Sequence, residues 1–368
     1  MQVLVVNAGS SSLKLRLLDA TDHVLVASDL PAPRGQADAA TLRDVLGDLG
    51  GVDAVGHRIV HGGTEFIEPV IIDEGVVSKL RALTDLAPLH QPKSLAALDA
   101  VGGVLPGLPA VACFDTAFHA QMPAGAATYA LPPEWRTRWP LRRFGFHGLS
   151  HAYASRRARE LLGDSRKGFR VVTCHLGAGA SLAAVRDGHS LDTTMGFTPL
   201  EGLVMATRSG SLDPGLVLWL EEHAGMPPAE LAATLEHRSG LLGLAGTADM
   251  PSILAAEQDG QAEAQLAVAV YLHRLRAGVA AMAAAMGGLD ALVFTGGVGE
   301  NAATIRQRTA HGLEFLGVMV DPARNEGAGD REIGSSHASV RTLVVAARED
   351  LEIARQVRQL LGRPRASG

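Results

Sequence analysis

Lysine is almost missing from this chain. Only Lys14, Lys79, Lys93 and Lys167 occur among 368 residues, and none follows a glycine. A G-x-x-x-x-G-K-[ST] phosphate loop is therefore excluded. Arginine carries nearly all the positive charge, and its planar fork suits a bidentate grip on phosphate or carboxylate. Cysteine is scarcer still. Cys113 and Cys174 stand in apolar, strand-like stretches and are expected as buried, reduced thiols. The net charge is −6 and no basic block is present, which argues against nucleic acid as the main partner. The chain does not open on a basic region and a long apolar core, so no signal peptide is expected. The most apolar long stretch, 266–286, is interrupted by His273, Arg274 and Arg276. It is expected as a core or interface helix, not a membrane span. The expectation is a soluble cytoplasmic protein with neither nucleic acid nor membrane as partner.

What is present is a globular composition, 47% apolar and 20% charged, long enough for two domains. Residues 3–19 set the pattern. An apolar run (3–6) enters a turn of Asn7, Ala8, Gly9, Ser10, Ser11 and Ser12, and Leu13, Leu15, Leu17 and Leu18 leave it with Lys14 and Arg16 alternating. That predicts a β-hairpin with a polar tip. Its hydroxyls, amide, cation and backbone N–H groups suit a phosphate, although an ordinary turn has the same outline. At 171–188 the unit returns as strand, glycine turn (Gly177, Gly179) and strand. Two copies about 168 residues apart suggest an internal duplication, and a cleft is natural between two such domains. Strands alternating with helices imply an α/β fold with sites at strand ends. One helix is expected from about 253 to 286, another from the glycine turn at 296–301 to about 316.

Candidate chemistry is spread along the chain. Arg58 and Arg208 each follow an apolar segment beside glycines or turn residues, where they could neutralise a phosphoryl group or orient a carboxylate; a surface arginine is the alternative. His147, between Phe146 and Gly148, could donate to a phosphoryl oxygen or be a packed core histidine. Asp115 at a strand end and Glu349 before a helix are candidate magnesium-side carboxylates, or else a helix N-cap and a surface charge. The turn Gly296-Gly-Val-Gly-Glu-Asn301 follows a strand and opens a helix, so it could hold an anion or nucleotide. It also resembles a G-x-G-x-x-A dinucleotide fingerprint, but a dinucleotide fold has no use for the two hairpins.

Taken together, the motifs resemble the acetate kinase family of the actin-like ATPase superfamily. The carriers are Asn7-Ala-Gly-Ser-Ser-Ser-Leu-Lys14, Gly56-His-Arg-Ile-Val-His-Gly-Gly63, Leu86-Ala-Pro-Leu-His90, Phe114-Asp-Thr-Ala-Phe-His119, Gly145-Phe-His-Gly148, Met195-Gly-Phe-Thr-Pro-Leu-Glu-Gly202, Thr207-Arg-Ser-Gly210 and the turn 296–301. The resemblance implies an α/β fold of two duplicated actin-like ATPase (ribonuclease H-like) domains with an active-site cleft between them. Residues 1–117 with 350–368 would form the N-terminal domain, and 118–349 the C-terminal domain with the nucleotide site and dimerisation surface. It further implies a homodimer, ATP as co-substrate, magnesium or manganese as cofactor, and reversible phosphoryl transfer to acetate or another short carboxylate. Asn7 and Glu349 match the metal end, and Ser10, Ser12 and Lys14 the first phosphate hairpin. Arg58, Asp115, His147 and Arg208 match the catalytic set, and Val60, Leu89, Phe146 and Pro199 the methyl pocket. His175, Gly177 and Gly179 match the second phosphate hairpin, and Asp249, Gly297, Gly299 and Asn301 the adenosine side.

Several positions depart from the family pattern: Ala178 and Ser211 stand where asparagine and aspartate are usual, Pro251 where arginine is common, and Gln91 where asparagine is. Ala347 and Arg348 replace the usual pair before Glu349. The alternatives are thus a propionate or other short-carboxylate kinase, one using GTP or pyrophosphate, or a catalytically weak regulatory homologue.

Overall fold

The computed structural model describes residues 1–9, 12–32, 39–47, 50–87 and 91–362. Twelve strands are described: β1 (Val3–Ala8), β2 (Ser12–Leu18), β3 (Val24–Pro31), β4 (Ala54–Ile59), β5 (Val70–Ile71), β6 (Ala110–Phe114), β7 (Arg170–Leu176), β8 (Ala180–Arg186), β9 (His189–Thr193), β10 (Ala291–Thr295), β11 (Arg331–Glu332) and β12 (Arg341–Val344). They form two six-stranded sheets, ordered β3-β2-β1-β4-β6-β5 and β9-β8-β7-β10-β12-β11. In the first, β1–β2, β2–β3 and β5–β6 are antiparallel, while β1–β4 and β4–β6 are parallel. The second repeats this strand for strand, so the duplication expected from the two hairpins extends to whole sheets.

The chain divides into two compact units. Unit 1 is Met1–Ala120, Gly148–Tyr153 and the described residues from Arg348 onward; unit 2 is Gln121–His147 and Ala154–Ala347. In unit 1 the near-continuous apolar run of β1 serves both faces of its sheet. Leu4, Val6 and Ala8 pack with Leu42, Leu46 and Val101 on one side, and Val3 and Val5 with Ile353, Ala354 and Val357 on the other. Strict alternation of side chains along a strand produces that split, and a parallel strand covered on both faces has no polar positions to spare. The helix Glu349–Leu361 thus closes one face of the unit and sets Glu349 in its first turn. Gly56 on β4 makes its approach feasible: a Cβ there would lie 2.5 Å from Ile353 Cγ2 and 2.8 Å from Val357 Cγ2.

In unit 2, the 25-residue helix Ala262–Met286 meets the composition and length for a membrane span, yet Val268, Tyr271, Leu272, Leu275, Val279 and Met282 are among the residues it buries. Gly278 lets it lie against Leu182 of β8. The single helix expected over 253–286 is instead two, Met250–Gln258 and Ala262–Met286. They are parted at Gly260, whose φ of +82° no ordinary helix accommodates. The glycine turn at 296–301 is itself a short helix, Gly296–Asn301, and the helix expected after it to about 316 ends at His311. Both cysteines are buried and unbridged, and burial pushes both thiols well above their ordinary pKa.

A Gly56→Ala variant should lose about 1–3 kcal/mol through overpacking of the seam between β4 and the C-terminal helix. The expected readout is a lower urea midpoint at unchanged far-ultraviolet dichroism.

Candidate active site

Parallel β1, β4 and β6 bring their C-terminal ends to one edge of the first sheet, the edge where open α/β sheets bind ligands. Asn7 is near the end of β1, Arg58 near the end of β4, and Asp115 directly after β6. Glu349 joins them from the C-terminal helix. Arg58 donates from Nε to both Asp115 oxygens (3.1 Å each) and from Nη2 to Oδ2 (2.5 Å), and its Nη1 donates to Asn7 Oδ1 at 3.1 Å. Asn7 Nδ2 in turn donates to Glu349 Oε2 at 2.9 Å, and Arg58 Nε lies 4.0 Å from the same oxygen.

The Asp115 side chain is 1% exposed and that of Arg58 16%, so neither charge is tolerable alone. Burial disfavours the guanidinium charge, but the Asp115 and Glu349 carboxylates outweigh it and hold the Arg58 pKa above its usual value. Burial pushes the Asp115 pKa up, with Arg58 pulling against it and Glu349 adding to it. Two carboxyl groups and an amide oxygen thus gather around one arginine, an oxygen-rich setting that suits a cation.

The neighbouring turn is fixed just as closely. Gln91 Oε1 accepts the His61 N–H and its Nε2 donates to His61 O; Thr116 Oγ1 accepts the Gly62 N–H. Buried Val60 therefore has a set position beside Arg58. Asp115 is held through its backbone too, since its N–H donates to Ile59 O and its carbonyl accepts the Gly148 N–H. Ser12 opens β2, and its carbonyl accepts the Gly9 N–H across the hairpin. Lys14, exposed, is the cross-strand neighbour of Asn7. Ser10 and Leu89 lie outside the described residues.

Unit 2 gathers a second set around the β7–β8 turn. His147 adopts a left-handed backbone (φ 55°) where it enters the helix Gly148–Leu162, a conformation that costs free energy in a non-glycine residue. Its Nδ1 and Ser181 Oγ are 2.9 Å apart, and its ring lies 4.3 Å from that of His175. A Cβ on Gly179 would lie 3.2 Å from His147 Nε2 and 3.4 Å from Arg208 Nη1. The imidazole and the guanidinium thus both lie close to this glycine, and a side chain there would crowd the imidazole. Arg208 donates from Nη1 to Pro199 O at 3.1 Å, and its Nε is 2.8 Å from Glu236 Oε1.

The segment carrying Pro199 is stapled to the one carrying Phe146 and His147. Glu201 accepts from Tyr129 Oη and Arg143 Nη2, both at 2.8 Å; Tyr129 Oη accepts the Phe197 N–H; the Phe144 and Gly145 N–H groups donate to Gly196 O. Burial and the Glu201 hydrogen bond push the Tyr129 phenol up to about 12, so it remains a donor. Phe146 and Pro199 are buried.

The expected nucleotide residues have local roles as well. Asp249 caps the helix Met250–Gln258 by accepting from Ser252 Oγ and N–H, and these bonds hold its carboxyl below the usual range. Asn301 Nδ2 donates to Gly297 O, while a Cβ on Gly299 would come 3.7 Å from Cys174 O and from Leu176 Cβ. Glu201, Tyr129, Arg143 and Glu236 were not expected. Glu201 lies inside one of the family motifs, whereas Glu236 sits in an amphipathic helical pattern that offers no signal.

The strand order with an antiparallel second strand, present twice, defines a protein of duplicated ribonuclease H-like units, the actin-like ATPase class. Each unit adds a charged, hydrogen-bonded cluster at strand ends. Known proteins narrow this. The family model described as the acetokinase family matches residues 34–355. An acetate kinase of Deinococcus deserti is 45% identical over 392 aligned residues, covering 98% of each chain. An acetate kinase of Bacillus subtilis is 39% identical, covering 98% of this chain and 99% of its own. Among solved structures, Porphyromonas gingivalis acetate kinase superposes with a TM-score of 0.90 at 38% identity, covering 98% of this chain and 99% of its own. A propionate kinase of Francisella tularensis follows at 0.89 and 36%, covering 96% and 98%. The chain belongs to the acetokinase family.

Asp115→Ala should leave Arg58 buried beside an empty site and destabilise unit 1 by about 3 kcal/mol, the cost of breaking one side of a buried pair. Asp115→Asn, which keeps one acceptor, should lose less. Urea unfolding of the two variants checks the order.

Proposed function

We propose that the chain is a soluble cytoplasmic enzyme that transfers the terminal phosphoryl group of ATP reversibly to acetate, giving acetyl phosphate and ADP. The observation that carries this reading is the pair of anchored arginines. Arg58, near the end of β4, is fixed by Asp115, and Arg208, in the segment after β9, by Glu236 and Pro199 O. Acetate is ionised near neutral pH, so the nucleophile needs no general base. Phosphoryl transfer asks for positioning and neutralisation of spreading negative charge. Arg58 orients the carboxylate and the transferring group, while Arg208 and His147 donate to phosphoryl oxygens. Val60 is the apolar surface next to Arg58, and Phe146 and Pro199 are those next to His147 and Arg208. Ser12, Lys14, His175, Gly177 and Gly179 serve the phosphates; Asp249, Gly297, Gly299 and Asn301 serve the nucleoside.

Asn7 and Glu349 would hold the divalent cation. Glu349 Oε2 accepts from Asn7 Nδ2 at 2.9 Å, which brings the two side chains together at the strand ends. No group of three His, Cys, Asp or Glu side chains suited to a metal occurs among the described residues. A sparse, all-oxygen donor set fits magnesium or manganese, which keep waters and take further oxygens from phosphates. When bound, such an ion neutralises charge on the phosphate oxygens.

Purified protein with MgATP and acetate should give acyl phosphate trapped as its hydroxamate. Absence of product with every short carboxylate and donor tried would sink the reading. Propionate is the competing acid, supported by the propionate kinase relative, and a matrix of acids and donors separates the two. Arg208→Ala should lower kcat by about 100- to 1000-fold, the usual effect of removing one charge-stabilising donor. A rate near that of the parent would refute its role.

The same reading takes a homodimer as the working unit. In the helix Pro214–Glu222 none of the residues is buried, and Leu216, Leu218 and Trp219 are 44%, 55% and 53% exposed. An apolar face of this kind is what a second copy would cover. Leu218→Asp with Trp219→Asp should convert a dimer into a monomer, as read by light scattering, without a change in helix content.

A further inference from the structure

Glu236 breaks a local rule. It lies in the last turn of the helix Pro228–His237 and is 7% exposed. The C-terminal end of a helix carries partial negative charge, so a carboxylate there is repelled. Burial adds a desolvation cost that only a close cation can offset. Such conflicts between sequence and local structure concentrate at functional sites. The cation is Arg208, whose Nε is 2.8 Å from Glu236 Oε1.

The backbone on both sides of this contact is laced together. Thr207 Oγ1 donates to Glu236 O, the Ser209 N–H to Leu235 O, and the Ser239 N–H to Thr207 O. Gly240, at φ +62°, brings the chain so close that a Cβ would lie 2.3 Å from Met205 O and 2.6 Å from Arg208 O. Carboxylate and guanidinium therefore meet without either segment having to move. The Pro199 carbonyl fixes a second point, at Nη1. With the covalent bond to Cδ as the third point, these two contacts fix the planar fork, and they set Nη1 beside Gly179, next to His147 Nε2.

We propose that Glu236 is the positioning residue for Arg208, holding the guanidinium in the plane from which it reaches the transferring phosphoryl group. The proposal rests on the kinase reading for what Arg208 does, but the contact itself can be tested without turnover. Asp115 does the same for Arg58 in the other unit, so each arginine of the pair is oriented by its own buried carboxylate. Glu236 does not touch substrate; its effect passes through Arg208.

The test uses the full-length protein with Glu236→Ala, Glu236→Gln and, should the truncated side chain not fold, Glu236→Met. Misplacing the guanidinium should lower kcat about 10-fold or more while KM for the donor stays within about twofold. Glu236→Gln keeps an acceptor for Nε–H and should recover to within about threefold of the parent. A Glu236→Ala or Glu236→Met protein with parental kcat overturns the proposal, as does a Glu236→Gln rate no better than theirs. If the parent makes no acyl phosphate, the kinase reading fails, and the contact is then judged by NMR. An exchange-protected arginine Nε–H signal that vanishes in Arg208→Lys should also vanish in Glu236→Ala; its persistence there overturns the proposal.

Discussion

The buried ion pair between Arg58 and Asp115 is the constraint on which the first half of the site depends. A guanidinium 16% exposed and a carboxylate 1% exposed are tolerable only together. Each is therefore committed to one orientation before any substrate arrives. Asn7 extends the arrangement from the hairpin and Glu349 from the last helix. Side chains from residues 7, 58, 115 and 349 are fixed by one hydrogen-bonded chain, the kind of preorganisation that lets charge stabilisation act at little reorganisation cost.

Unit 2 likewise pairs its arginine with a buried carboxylate, Glu236, and adds contacts to backbone. Its hairpin tip has glycines where the first has serines. Imidazole and guanidinium both lie close to Gly179, and Arg208 takes one of its two fixed points from a carbonyl. The two units share a strand order, but side-chain oxygens gather at the strand ends of one, and imidazoles, a guanidinium and backbone groups around the hairpin turn of the other. Duplication supplied the scaffold, and the loops at the strand ends carry the difference.

Much of this was legible beforehand because the relevant signals are local. The hairpins announce themselves by apolar runs around glycine and serine. Arg58, Asp115 and His147 each stand at the end of an apolar strand or beside a glycine, and the family motifs name them. What escaped depends on contacts between distant segments. Glu236 looks like any solvated glutamate in a helix, since nothing in its neighbours tells that it turns inward to Arg208. Tyr129 and Arg143 have meaning only once Glu201 is placed between them. The split at Gly260 was missed for another reason. The apolar pattern carries across the break, and the glycine's positive φ decides the matter. Ser10 and Leu89, both named from the motifs, fall outside the described residues.

The seating of the last helix on the first strands also bears on how the protein is made. A ribosome delivers β1, β2 and β4 long before residues 349–361, and domains generally fold as units during synthesis. Until that final segment appears, Val3, Val5 and Ala54 have no cover from Ile353, Ala354 and Val357, and Asn7 has no Glu349 to meet. Unit 2, contained within residues 121–347, can be complete first. The cluster that holds Arg58 is thus finished only after residues 349–361 have been made, so a chain cut before them lacks a wall of its core and the carboxylate that meets Asn7 together.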